Sequence, residues 1–272
     1  MHYLNGVWVT NDKLTLSVFD LSVIRGFGVF DFLRTYHKKP FRLSGHVDRL
    51  FTSAAYLSLP VPETKERIMS RVEEGIAQGT YDDYNIRIVV TGGVSADGIA
   101  PGNPSLIIIF AEAHDYPSEY YLSGVGVITY PHVRTFPRAK TLNYLAAIVA
   151  LQKAKKEHCI EAVYVDENGT VFEGTTSNVF IVKKNILMTP KDNILFGITR
   201  RVVVDMAKKL NIEVVEKPLS KQDLVDADEI FLTASNKEVM PVVRVDGKKA
   251  CGGIVGPVTK RLIEKYRSVT RG

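Results

Sequence analysis

RAKTLNYLAAIVALQKAKKEHCIEAVYVDENGTVFEGTTSNVF, residues 138–180, decides how the second half of the chain is read. Its apolar positions keep a helical period from Leu142 to Lys156, which predicts an amphipathic helix there. Strand-length runs follow at Ala162–Val165 and Asn178–Val182. Lys140 stands just before the helix, Tyr144 follows four residues later, and Glu173 lies among small hydroxyl residues between strands.

Downstream the pattern predicts a strand at Ile186–Met188, a helix at Thr199–Leu210, strands at Glu213–Val215 and Glu229–Thr233, and a terminal helix at Gly256–Ser268. GITR, residues 197–200, puts Ile198 and Thr199 at a helix start, where unsatisfied amides and the positive dipole end favour a phosphate. TASNKEVMPV, residues 233–242, follows a strand in the same manner.

Upstream, Asn5-Gly6 between short apolar runs predicts an opening hairpin. Val29–Tyr36 reads as a strand, a helix runs from a Ser44 N-cap to Leu59, and a second runs over Glu63–Ala77. Strands at Ile86–Thr91 and Leu106–Ala111 enclose the long polar loop GGVSADGIAPGNP, of a length more typical of functional loops than of turns. A composition shift at Glu112–Tyr121 predicts a small N-terminal domain over 1–113, a linker over 114–121 and a larger domain over 122–272. Both halves mix helices and strands without regular βα alternation, so the class is α+β.

Composition excludes several functions. Hydrophobic residues at 45% and charged residues at 24% match a folded globular chain rather than a disordered one. The net charge of +5 is scattered, with no basic stripe for nucleic acid, and is compatible with an anionic small molecule. Cys159 and Cys251 form no C-x-x-C pair and there is no histidine cluster, so disulfide scaffolds and metal centres drop out. The apolar runs are too short for a membrane span, and the N-terminus lacks a secretory pattern, so the cytoplasm is the expected location. Gly26-Phe27-Gly28 lacks the third glycine of a dinucleotide fingerprint, and neither a Walker A motif nor a G-x-S-x-G elbow occurs.

Singly, each candidate has an ordinary explanation: Lys140 a solvated charge, Tyr144 a packing residue, Glu173 a turn residue, Thr199 an N-cap, Arg49 a surface ion-pair partner. Jointly they supply an amine nucleophile, a carboxylate, a phenol and two phosphate-binding turns. In order and spacing, YLNG, RGFGVFDFLRTY, GHVDRL, KTLNYLAA, FEGTTSNVF, GITRRVV and EVMPV resemble the fold-type IV pyridoxal-phosphate enzymes. That family includes branched-chain and D-amino acid aminotransferases and aminodeoxychorismate lyases.

The resemblance implies a two-domain fold with a small α/β domain and a larger pseudo-barrel domain, pyridoxal 5'-phosphate as cofactor, and a homodimer. It assigns the cofactor's lysine to Lys140, the ring-nitrogen carboxylate to Glu173, the phenolic-oxygen contact to Tyr144, and the phosphate to Arg49, Ile198, Thr199 and Ser235. The chemistry needs these types: an amine bonds the cofactor carbonyl and shuttles a proton, and a carboxylate favours a protonated ring nitrogen. Substrate contacts are expected from Arg87, Arg25, Phe30 and Asn236, with Arg25 reaching the neighbouring subunit.

Departures from the family pattern bear on the substrate. D-amino acid aminotransferases carry Arg and His in the loop that reads GGVSADGIA here, and Tyr where this chain has Phe30. The strand Asn85-Ile86-Arg87 is similar to one that presents an arginine in branched-chain enzymes. The resemblance puts Arg87, with help from Arg25, on the phenolic-oxygen side of the cofactor, where two arginines suit the α-carboxylate of a D-amino acid and the loop offers no alternative cation. The expected reaction is therefore transamination between a D-amino acid and a 2-oxo acid. Branched-chain L-amino acid transamination, aminodeoxychorismate elimination and a non-catalytic binding protein stand as alternatives.

Overall fold

The computed structural model describes residues 1–271, which form two compact units: Met1–His114 with Arg138–Tyr144, and Asp115–Pro137 with the chain from Leu145 onward. Composition alone runs the second domain from residue 122, whereas residues 138–144 group with the first unit. Hydrogen bonds from Phe30 N to the Lys140 carbonyl and from Leu142 N to the Gly28 carbonyl, with a bridge between Val29 and Thr141, tie that segment to a strand of the first unit.

The first unit contains β1 (His2–Leu4), β2 (Val7–Val9), α1 (Leu21–Ile24), β3 (Gly28–Tyr36), β4 (Lys39–Pro40), α2 (Leu43–Tyr56), α3 (Lys65–Gln78), β5 (Tyr84–Thr91) and β6 (Leu106–Glu112). Its antiparallel sheet has the order β2-β1-β6-β5-β3-β4. Period-2 alternation sorts its two faces. Val29, Leu33, Ile86, Ile88, Val90 and Ile108 share a core with Val47 and Leu50 of α2 and Ile68 and Val72 of α3. The opposite face carries Phe30, Phe32, Arg87, Val89, Ile107 and Ile109, aligned by the registers Phe30↔Val89↔Ile107 and Phe32↔Arg87↔Ile109. The expected Ser44 cap is not used: α2 begins at Leu43 after Arg42 at φ 56°, with no side-chain cap, because the tight β3–β4 hairpin delivers the chain there directly.

The second unit contains α4 (Ser118–Ser123), β7 (Val125–Pro131), α5 (Leu145–Lys156), β8 (Glu161–Val165), β9 (Thr170–Gly174), β10 (Asn178–Lys183), β11 (Ile186–Thr189), α6 (Ile198–Lys209), β12 (Val214–Glu216), β13 (Leu219–Ser220), α7 (Lys221–Val225), β14 (Glu229–Ala234), β15 (Glu238–Val245), β16 (Lys248–Lys249) and α8 (Pro257–Arg271). Pairing runs β10-β14-β15-β7-β8-β9, and a last pair, Asn178 with Glu173, returns β9 to β10 and closes a barrel. Val127, Val163, Val179, Ile181, Leu232 and Met240 belong to one buried cluster inside it. The α+β, two-domain fold with a barrel in the larger unit is thus observed. Among the described residues no helix is long and apolar enough to cross a membrane, and no cluster of His, Cys, Asp and Glu could hold a metal ion.

Candidate active site

In the first unit, β3 organises the candidates. Asp31 is fully buried on the face toward α2, where Arg49 donates to it through Nε at 2.8 Å and Nη2 at 2.9 Å, and His46 Nδ1 lies 2.6 Å away. Burial alone would raise the Asp31 pKa, but the Arg49 guanidinium and His46 hold it well below the usual carboxylate range. Burial pushes the His46 imidazole below its ordinary value against the pull of Asp31, and nearby Arg49 and Lys140 push the same way. The resemblance gives the Arg49 fork to a phosphate. Asp31 binds two of its nitrogens, Nε and Nη2, and so fixes the orientation of the guanidinium.

Phe30, the preceding residue, points to the opposite face and has three candidates around it. The Lys140 ammonium lies 4.6 Å from its ring centroid, the Tyr144 ring 5.4 Å away at 67°, and the Arg87 guanidinium 6.0 Å away. Backbone bonds fix the lysine's own position: Lys140 N donates to Ser53 Oγ of α2 at 3.0 Å, and its carbonyl accepts from Phe30 N. Arg25 stands apart from this group. It is exposed, with Nε donating to the Gly98 carbonyl and Nη1 to the Ile24 carbonyl.

In the second unit, strand directions bring the remaining candidates to one end of the barrel. The registers Asn178↔Thr233, Asn178↔Glu173 and Val163↔Gly174 place the start of β10, the end of β14, the end of β9 and the start of β8 together. Glu173 is 4% exposed, and its carboxylate accepts from Arg134 Nη1 at 2.9 Å and from Leu195 N at 3.0 Å. Asn178 Nδ2 donates to the Leu195 carbonyl, anchoring the segment that leads into α6. Gly197 precedes that helix so closely to Asn178 that a Cβ there would collide with Asn178 Oδ1. No side chain caps α6, so the amides of Ile198 and Thr199 remain for an anion. Ser235 and Asn236, both half-buried, form the tip of the β14–β15 hairpin.

This donor set fits pyridoxal phosphate. An amine is set against an aromatic ring, a buried carboxylate is oriented by a cation and an amide, and an uncapped helix start lies at the same barrel end as a serine hairpin. Among the described residues Thr233 Oγ1, buried at that end, has no hydrogen-bond partner, as expected beside a polar ligand.

A model of class IV aminotransferases matches residues 28–245. The chain belongs to that family. It is 40% identical, over 98% of its length and 95% of the relative's, to a protein of Methanocaldococcus jannaschii assigned as a branched-chain-amino-acid aminotransferase. It is 33% identical to a D-alanine aminotransferase of Listeria monocytogenes, covering 98% of this chain and 96% of that one. Among solved structures, the Escherichia coli branched-chain amino acid aminotransferase superposes with a TM-score of 0.94 at 30% identity, covering 100% of this chain and 94% of the other. A T.th. branched-chain amino acid aminotransferase, solved with pyridoxamine 5'-phosphate, gives 0.92 at 30% identity, with coverages of 99% and 93%. The protein is therefore a class IV aminotransferase, a family that uses pyridoxal phosphate.

Sequence reasoning passed over Asp31, His46, Arg134 and Leu195. Two of these carried a signal: a lone carboxylate inside the apolar strand GVFDFL, and a histidine one helical turn before Arg49. Arg134 and the Leu195 amide carried none, since only barrel closure brings them to Glu173.

Proposed function

We propose that the enzyme transfers the amino group of a D-amino acid to a 2-oxo acid such as 2-oxoglutarate. When bound, pyridoxal phosphate supplies the electron sink that makes the substrate α-proton removable. Lys140 Nζ takes and returns that proton, and the Glu173 carboxylate favours a protonated ring nitrogen. Arg49, the Ile198 and Thr199 amides and Ser235 hold the phosphate, while Tyr144 contacts the phenolic oxygen. Asn236, at the hairpin tip, contacts substrate.

The observation that carries the choice of substrate is the Phe30 ring, against which both Tyr144 and Arg87 lie. With the α-hydrogen directed at Lys140, the carboxylate and side chain can only exchange two positions, and that exchange inverts the hand of the substrate. With its charge on the phenolic-oxygen side, as the resemblance implies, Arg87 would draw the α-carboxylate there, which is the D arrangement. A second reading, an L-branched-chain enzyme, draws support from the 40% identical relative. In it Arg87 takes the distal carboxylate of L-glutamate, and apolar side chains use the floor of Phe30, Val89 and Ile107. Half-reactions of the purified enzyme decide: D-alanine and D-glutamate should convert the cofactor absorbance rapidly, whereas rapid conversion by L-leucine and none by either D-substrate would overturn the choice.

The working unit is a homodimer formed through the face bearing Arg25. Val18, Phe19, Val23, Val94 and Ile99 are each more than half exposed, on two segments joined by the bonds Leu21 N to the Gly93 carbonyl and Ser95 N to the Phe19 carbonyl. Covering them with a second copy would bring Arg25 to the partner's substrate.

A further inference from the structure

Beneath the β14–β15 hairpin lies a buried ion pair with no part in the chemistry proposed above. The hairpin turn is closed by Lys237 N donating to the Ala234 carbonyl, and Glu238 follows at φ 55°. The Lys237 side chain, 5% exposed, turns inward from the hairpin tip and meets the fully buried carboxylate of Glu161 at 3.2 Å. Its ammonium also donates to Thr176 Oγ1 at 2.6 Å, and the Tyr116 ring lies 6.0 Å away. Glu161 in turn accepts from the hydroxyls of Thr175, Thr176 and Ser177 and from Ala162 N. One cation and one anion thereby join the turn after Glu173 to the turn that presents Ser235 and Asn236.

Two buried charges are costly, and this pair is satisfied on every side. Replacing it with apolar packing would fill the space equally well but would not tie two particular turns in register. We propose that Lys237 is a positioning residue: paired with Glu161, it locks the Ser235–Asn236 tip to the 174–177 turn, so that the anion-binding end of the barrel is formed before the cofactor phosphate arrives. This rests on the cofactor assignment made above.

The test compares wild type, Lys237→Arg and the neutral double variant Lys237→Met/Glu161→Gln. Each full-length protein is stripped of cofactor, melted, and titrated with pyridoxal phosphate by equilibrium ultrafiltration. The double variant leaves no charge unpaired, so its melting temperature should stay near that of wild type while its dissociation constant rises at least fivefold. Lys237→Arg, which keeps the charge, should stay within threefold. A folded double variant whose constant rises less than fivefold overturns the proposal, because a merely structural pair would alter melting and not affinity. If the double variant is too unstable to titrate, Thr176→Val takes its place, with a rise of at least threefold expected and a smaller one overturning the proposal. Wild type that does not bind pyridoxal phosphate would instead overturn the cofactor assignment.

Discussion

At the level of single residues, the roles proposed for Lys140 and Glu173 predict different outcomes for proton transfer and for cofactor retention. Lys140→Ala removes the amine but leaves Arg49 oriented by Asp31 and the α6 amides uncapped. Turnover should vanish while phosphate-anchored binding partly persists, and sustained turnover by the purified variant near the wild-type rate would refute the assignment. Glu173→Gln is not electrostatically silent even on the protein side. Its oxygen can keep the Leu195 amide, but its NH2 then faces the Arg134 guanidinium, donor against donor. Arg134, half-buried, should turn away, and the half-reaction should slow by orders of magnitude without loss of fold. An unchanged half-reaction rate would place Glu173 away from the ring nitrogen.

At the level of elements, the β3–α2 contact makes stability depend on pH. The folded His46 titrates below the 6.5 of a free imidazole, because burial opposes its charge. As pH falls through 6.5, the unfolded chain takes up a proton there that the folded chain refuses, so stability falls until the folded value is reached. His2 and His132, also depressed by burial, contribute with the same sign. Asp31 adds to the loss below 3.8, where its unfolded carboxylate protonates first. Urea titrations between about pH 8 and pH 5 should show this decline, with His46→Asn removing up to one proton from the slope; an unaltered slope would exclude His46. Asp31→Ala, which strands Arg49, should cost about 3–5 kcal/mol, as for removing one partner of a buried ion pair.

The same elements show what was legible beforehand. Strands β3, β5 and β6 announced themselves because alternation and apolar runs are local properties of the chain. The β3–β4 turn did not: His37 and Lys38 sit at φ 52° and 60° without the Asn-Gly signal, held by Lys38 N and Thr35 Oγ1 on Asp83. Strand β15 was obscured by Pro241, tolerated because its pairing with β7 begins only at Val242. The helix predicted from Leu142 starts at Leu145, since Thr141 and Leu142 are drawn into pairing with β3. Lys140 and Glu173 could be picked out as chemistry, but their holders, Ser53, Arg134 and Leu195, are set by tertiary closure that no local pattern encodes.

For the whole molecule, the apolar face around α1 is the feature a lone subunit explains least. Phe19 is 64% exposed and Ile99 76%, and apolar side chains clustered on one surface more often mark an interface than a solvated face. The loop bearing Val94 and Ile99 is pinned to α1 rather than free to cover it, since Arg25 Nε donates to the Gly98 carbonyl and Asp20 bridges to Val94. A second copy related by a twofold axis would cover this face isologously, as in most soluble homodimers. Light scattering on the eluted protein should therefore report twice the chain mass of 30.3 kDa. Phe19→Asp combined with Ile99→Asp should shift it to the monomer mass without unfolding, because both side chains lie outside the core. If Arg25 serves the partner's substrate, that monomer should keep its cofactor and lose amino-acid turnover, while Arg25→Ala should remain dimeric and lose turnover alone. A 30.3 kDa species in wild type at every concentration measured, with full activity, would overturn the dimer and the role of Arg25 together.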